Sequence, residues 1–301
     1  MDVLVTGGAG FIGSNIVERL VRDGYKVSVI DNLHTGNKQN LKDVMNSINF
    51  RKGNAGELGI FNKRFDIIFH QGIYSSSPMY KENPLLVADA LQDFTKIMEY
   101  AKKHSSKVVF ASSSSVYNGL KPPHREDMQL LVTDYYTEGR IAMERLAELY
   151  NKLYGVKVIA LRYFSVYGPH EEFKKQYANL ITQFLWAMQK DQPLVVYGDG
   201  SQKRDFVYVE DVVEANIKAA STIDKIGFGI YNVGTGKNYS INEMINILQK
   251  ELGKQAKVSY VENKIKNYVQ ETLADTKKAE TELGFKTTIN LGEGIKNLLI
   301  C

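Results

Sequence analysis

Gly7-Gly8-Ala9-Gly10-Phe11-Ile12-Gly13 stands between an apolar run, Val3-Leu4-Val5, and a stretch in which Ile12, Ile16 and Leu20 recur every fourth residue. A short apolar run without alternation reads as a strand covered on both faces, and the four-residue recurrence as one face of a helix that should stop at Gly24. A strand that turns into a helix this abruptly leaves few folds open, because glycine admits the tight turn and lets helix and strand touch. Val27-Ser28-Val29-Ile30 completes a strand, helix, strand unit. Three more runs of the same kind follow, Ile67-Ile68-Phe69, Val108-Val109-Phe110 and Val158-Ile159-Ala160-Leu161. The pattern predicts an α/β chain built on a doubly wound parallel sheet.

Gly8, Gly10 and Gly13 satisfy G-x-G-x-x-G, and Asp31 ends the second run. Glycines here let backbone N–H groups approach a pyrophosphate seated on the positive end of the first helix. A carboxylate at Asp31 would accept hydrogen bonds from the adenine ribose and repel a 2′-phosphate, so the expected fold is of Rossmann type and the expected cofactor is NAD rather than NADP. The bland alternative is a glycine turn with an Asp that merely ends a strand. The ordered strand, turn, helix, strand and acid outweigh it.

The 301 residues, 44% hydrophobic and 24% charged, suffice for one large core with a smaller lobe. We read residues 1–165 as the NAD-binding lobe and 166–301 as mainly a smaller mixed α/β substrate-binding lobe, with the chain crossing back near 205–235. In the second part short strands (194–197, 206–209, 229–233) mix with helices (179–189, 242–252), and residues 262–278 look like a surface loop entering a last short helix. A helix over 136–154 carries two apolar rows, Ala142/Leu146/Leu149/Leu153 and Met143/Ala147/Tyr150/Tyr154, so it is expected to be buried on more than one side, against the sheet and against a partner subunit. No apolar run approaches the ~18 residues of a membrane span. The one cysteine, Cys301, permits neither an intrachain disulfide nor a cysteine cluster, and the five histidines show no paired i, i+4 spacing, so no metal is expected. A net charge of +4 is too small for a nucleic-acid binder but suits a pocket for an anionic small molecule. With residues 2–6 reading as a strand rather than a leader, a cytoplasmic protein is expected.

The order of motifs resembles the extended short-chain dehydrogenase/reductase family, in particular its nucleotide-sugar epimerases and dehydratases. The resemblance rests on Gly7 to Gly13, Asp31-Asn32-Leu33 with Thr35-Gly36, Ala111 to Tyr117 (ASSSSVY), and Tyr136, Arg140 and Glu144. It continues in Leu161 to Pro169 (LRYFSVYGP), Tyr197 to Asp211 and Asn232 to Gly236 (NVGTG). It implies Tyr136 as acid/base, Ser113 as the hydroxyl on the sugar's 4-oxygen, and Arg140 in the place of the family's lysine. Cofactor contacts are implied from Gly7, Gly10, Phe11, Ile12, Gly13, Asp31, Asn32, Thr35, Gly36, Asn54, Tyr136, Arg140 and Tyr163. Removing a hydride from a sugar carbon requires a base for the hydroxyl proton, and a phenol, ordinarily near ~10, serves only beside a cation. A guanidinium is planar and bulkier than an ammonium, so Arg140 is expected to promote Tyr136 less effectively than lysine would.

Ser114 and Ser115 stand where the family's 4,6-dehydratases have acidic residues, which disfavours dehydration and the related decarboxylation. The resemblance then implies inversion at C4 of a UDP-hexose, nearest to UDP-glucose/UDP-galactose interconversion. Substrate contacts are implied from Ser113, Ser165, Asn179, Leu180, Val195, Tyr197, Arg204 and Thr272. Arg204 is the candidate for the nucleotide diphosphate, its plain alternative being a salt bridge with Asp205. Small Thr272 would leave room for an N-acetyl group, and Lys264 or Lys266 could replace a second phosphate-binding arginine. Two other readings stay open: another nucleotide-sugar epimerase or a 4-ketosugar reductase, which Asp31 disfavours because such reductases usually take NADPH, and a non-catalytic dinucleotide-binding regulatory module. Family resemblance also implies a homodimer through the 136–154 and 85–104 helices.

Overall fold

The computed structural model describes residues 1–264 and 268–300. From the N-terminus the elements run β1 (Asp2–Thr6), α1 (Phe11–Arg22), β2 (Lys26–Asp31), β3 (Ile48–Lys52), β4 (Ile67–His70), α2 (Ser77–Glu82), α3 (Leu86–His104), β5 (Lys107–Ser113), α4 (Tyr135–Tyr154) and β6 (Val158–Tyr163). The second half adds β7 (Ser165–Tyr167), α5 (Leu180–Gln189), β8 (Leu194–Tyr197), β9 (Lys203–Arg204), β10 (Phe206–Tyr208), α6 (Val209–Ile226), β11 (Phe228–Val233), β12 (Tyr239–Ser240), α7 (Ile241–Leu252), β13 (Val258–Val261) and α8 (Leu291–Ile300).

Seven strands form one parallel sheet in the order β3-β2-β1-β4-β5-β6-β11. Side chains alternate across it: Val3 and Val5 pack with Ile16, Val17 and Val212 on one face, while Leu4 packs with Phe94, Ile97 and Met143 on the other. Burial on both faces is why the runs carry no alternation, and each such side chain contributes roughly 1.5–3 kcal/mol. The strand order reverses between β1 and β4, which opens a crevice at their carboxyl ends. The doubly wound α/β class read from the sequence is the observed one.

A separate core holds the later elements together, with Tyr167, Phe184, Leu194, Val196, Phe206, Met244, Leu248 and Ile295 at its centre. Here β8 does alternate: Leu194 and Val196 are buried, Val195 and Tyr197 exposed.

Two readings need correction. The edge strand β3 passed unnoticed because INFRK is half polar and only partly covered. Val209 opens α6 instead of closing a strand, whereas residues 229–233 lie in β11, which pairs with β6 in the main sheet, inside the 205–235 stretch expected to cross back. On α4, Met143 and Ala147 are fully buried against the sheet, while Leu149, Leu153 and Tyr154 are 47%, 61% and 51% exposed, so this chain covers one side of the helix and leaves the other open.

Candidate active site

A cavity of about 530 Å³ opens at the carboxyl ends of β1, β2, β4, β5 and β6. Its floor is the glycine turn. Gly7 has φ +66°, and a Cβ there would lie 2.5 Å from Gly72 Cα; at Gly13 a Cβ would lie 2.1 Å from Gly7 O. The first substitution would block the approach of the 71–72 segment, the second the contact of α1 with the turn. Gly10 is the N-cap of α1 and supplies no side-chain cap, so the N–H groups of the first turn are left for an anion. Phe11, Ile12 and Gly13 line the cavity with them.

Asp31 stands at one end. Ala9 N donates to its Oδ2 at 2.9 Å and Leu33 N to its Oδ1 at 2.7 Å, and burial raises its pKa. Each oxygen keeps a lone pair for a further donor. Asn32, Thr35, Gly36 and Asn54 complete this end, Asn32 Nδ2 donating to Asn54 Oδ1 at 3.2 Å. Cradle, helix terminus and acid fit a dinucleotide.

The middle of the wall carries the chemistry. An Asp134/Thr137 capping box, with Thr137 N donating to Asp134 Oδ1 at 2.9 Å, fixes the first turn of α4 and contributes about 1 kcal/mol. Tyr136 lies in that turn, its ring edge-to-face with Tyr80 at 5.4 Å. Ser113 closes β5; its Oγ accepts from Ser115 N at 3.1 Å, which leaves its own O–H to donate. Both residues line the cavity and are 7% exposed.

Arg140 is on the same wall, its guanidinium 4.9 Å from the Tyr136 ring. Nη1 donates to Ala111 O and Nη2 to Tyr74 O, both at 3.0 Å, while the buried Nε has no hydrogen-bond partner among the described residues. The cation thus reaches Tyr136 through the ring face and is braced against two carbonyls. Tyr163 and Ser165 line the cavity too. The Tyr163 hydroxyl is held by Gln71 and by Asn216, whose Nδ2 donates to it at 2.8 Å.

The residues expected to grip the nucleotide are not on this wall. Asn179 is the N-cap of α5, its Oδ1 accepting from Ile181 N and its Nδ2 donating to Val166 O. Leu180 packs into the second core, and Val195 and Tyr197 face solvent. Arg204 makes no salt bridge with Asp205: it donates to Lys203 O and Val269 O and stacks on Tyr268 at 5.5 Å. Asp205 instead accepts from Thr235 N, Gly236 N and Ala274 N. Thr272 is buried, its hydroxyl accepting from Asp205 N at 3.1 Å. Lys264 is 80% exposed and paired with Glu262; Lys266 lies outside the described residues.

Sequence reasoning passed over several groups here, among them Lys174 on the wall and the fully buried His70 next to Gln71, which lines the cavity. Lys174 lines the cavity over the Phe11 ring and is paired with buried Glu171 at 3.4 Å. His70, the last residue of β4, is 1% exposed, its Nδ1 is 2.7 Å from Thr6 Oγ1, and its Nε2 has no hydrogen-bond partner among the described residues. Burial pushes its pKa down to about 3. The end of a central parallel strand was the available signal for His70; for Lys174, in an irregular segment, there was none.

Comparison with known proteins agrees with this geometry. Over 304 residues the chain is 37% identical to a Methanocaldococcus jannaschii protein provisionally named UDP-glucose 4-epimerase, covering 99% of this chain and 97% of the relative. Among solved structures it superposes with a TM-score of 0.93 on the UDP-N-acetylglucosamine 4-epimerase of Methanobrevibacter ruminantium, at 31% identity and covering 99% and 97% of the two chains. That protein was solved with UDP-N-acetylmuramic acid. The Bacillus cereus UDP-glucuronic acid 4-epimerase, solved with UDP-glucuronic acid and NAD, gives 0.88 at 26% identity, covering 99% and 98%. A sequence profile matches residues 3–234, and the chain belongs to the NAD dependent epimerase/dehydratase family.

Proposed function

We propose that this enzyme inverts C4 of a UDP-hexose, with UDP-glucose/UDP-galactose as the leading pair, and that it keeps one NAD through the cycle. The observation that carries the reading is that Ser113, with a free O–H, and Tyr136 share one wall with the dinucleotide cradle, while the neighbouring Ser114 and Ser115 offer no second acid or base. Tyr136 takes the proton of the 4-hydroxyl and later returns it; Ser113 donates to the same oxygen and orients it. When bound, a dinucleotide would supply the acceptor and donor for the C4 hydride. Gly7, Gly10 to Gly13, Asp31, Asn32, Thr35, Gly36 and Asn54 would hold it, with Tyr136, Arg140 and Tyr163 closing the inner end.

Inversion needs the keto sugar to turn over. The nucleotide must then be held apart from the sugar, and this task falls to the lobe after residue 165, with Ser165, at its boundary, on the wall together with Ser113. In this reading Arg204 leaves its carbonyl partners for the diphosphate when the sugar nucleotide binds. The exposed Leu149, Leu153 and Tyr154 on α4 support a homodimer through that helix. Incubating the protein with UDP-, dTDP- and ADP-hexoses, without added reductant, tests the assignment. A C4 epimer formed from a UDP-hexose supports it; no epimer from any of them, or turnover only with stoichiometric reduced cofactor, contradicts it.

A further inference from the structure

Behind the cavity lies a buried charged group that the chemistry above does not use. Glu144 and Arg162 are 4% and 2% exposed. Arg162 Nε donates to Glu144 Oε1 at 2.9 Å and Nη2 to Oε2 at 2.7 Å. The Ser112 hydroxyl donates to the same Oε1 at 2.6 Å. Arg162 Nη1 continues to the Tyr117 hydroxyl at 2.7 Å, and that hydroxyl donates to Asn232 Oδ1 at 2.8 Å.

Taking two charges out of water is costly, and well-packed apolar residues would often be as stable, so stability alone explains such a pair poorly. Its location explains it better. Ser112 directly precedes Ser113 at the end of β5. Tyr136, Arg140 and Glu144 stand four apart on α4 and share one face. Two successive turns of that face are therefore tied to two successive residues of one strand end, Arg140 to Ala111 O and Glu144 to Ser112 Oγ. Arg162 holds the Glu144 carboxylate in a bidentate fork, so the carboxylate cannot swing away from Ser112.

We propose that Ser112, Glu144 and Arg162 are positioning residues that hold α4 in register on β5, so that the Tyr136 and Ser113 hydroxyls converge on one sugar oxygen. The proposal rests on the epimerase reading above. Ser112→Ala is the sharpest probe, because it cuts the tie while leaving the Glu144–Arg162 pair intact and the fold able to form. Measured on full-length protein with its retained NAD, kcat on the UDP-hexose should fall on the order of tenfold to a hundredfold. KM, NAD content and the thermal midpoint should stay near wild type. Ser112→Thr, which keeps the hydroxyl, should restore most of kcat, and Glu144→Asp, which keeps the charge but shortens its reach, should lose kcat as Ser112→Ala does. Wild-type kcat in Ser112→Ala, or a loss that Ser112→Thr does not restore, overturns the proposal while the epimerase reading stands. A wild type that converts no nucleotide sugar overturns the reading and the proposal with it.

Discussion

The sheet-end wall and the lobe after residue 165 were expected to grip two parts of the same complex, yet their polar groups are in opposite states. On the wall they have capacity to spare: the first-turn N–H groups of α1, the Ser113 O–H, and the outer lone pairs of Asp31. In the later lobe they are engaged in the fold, with Asn179 capping a helix, Arg204 on backbone carbonyls and Thr272 bonded to Asp205. The difference teaches that a dinucleotide cradle is assembled by the folding of the sheet, because it is mostly backbone, whereas a grip made of long side chains needs its ligand to draw it away from its own loops.

The largest expected effect separates the two regions outright. Tyr136→Phe should lower kcat by about 10²–10⁴-fold while leaving bound NAD in place; turnover near wild type would remove the phenol from the chemistry. Next comes Gly13→Ala. The obstruction is the backbone oxygen Gly7 O, 2.1 Å from the new Cβ, so no side chain can move aside. NAD content should collapse and stability drop by about 1–3 kcal/mol, and a variant that co-purifies with a full complement of NAD would show that the cradle tolerates more than its geometry allows.

The third effect concerns His70 and has a definite sign. Its folded pKa, about 3, lies below the ordinary value of 6.5, so between those values the unfolded chain binds the extra proton. Its stabilising contribution is full above pH 6.5 and declines as the pH falls toward the folded value. Between pH 6.5 and 5 the loss should be about 2 kcal/mol. Urea unfolding of wild type and His70→Phe at both pH values checks this, and an equal pH slope in the two proteins would mean that the histidine titrates freely. Smallest is Arg204→Gln, which should raise KM for the sugar nucleotide severalfold, on the order of the 1 kcal/mol of an ordinary hydrogen bond, with NAD content unchanged. If NAD content falls as well, the two regions are not energetically separate.

How legible each region was in the sequence follows from the same contrast. The strand runs, the glycine turn and Asp31 are local patterns whose physical meaning depends on neighbours a few residues away, and the structure places all of them at one crevice. Ser113, Tyr136 and Arg140 needed the resemblance to be singled out, although their positions at a strand end and on one helix face are readable alone. The committed state of Arg204 depends on residues 268–270, and that of Thr272 on Asp205, contacts between positions more than sixty residues apart that no spacing rule reveals. The half-covered face of α4 shows a further limit: an apolar row records that something covers it, and this chain's described residues leave Leu149 and Leu153 largely open.

The central claim is that one hydride leaves C4 and returns to C4 within a single closed cycle. A UDP-hexose carrying deuterium at C4, incubated with the NAD-loaded protein and no added reductant, tests it directly. The account predicts an epimer that retains the deuterium at C4 with none lost to water. Deuterium lost to solvent or accumulating in free cofactor, or a substrate recovered unchanged beside fully bound NAD, would contradict it.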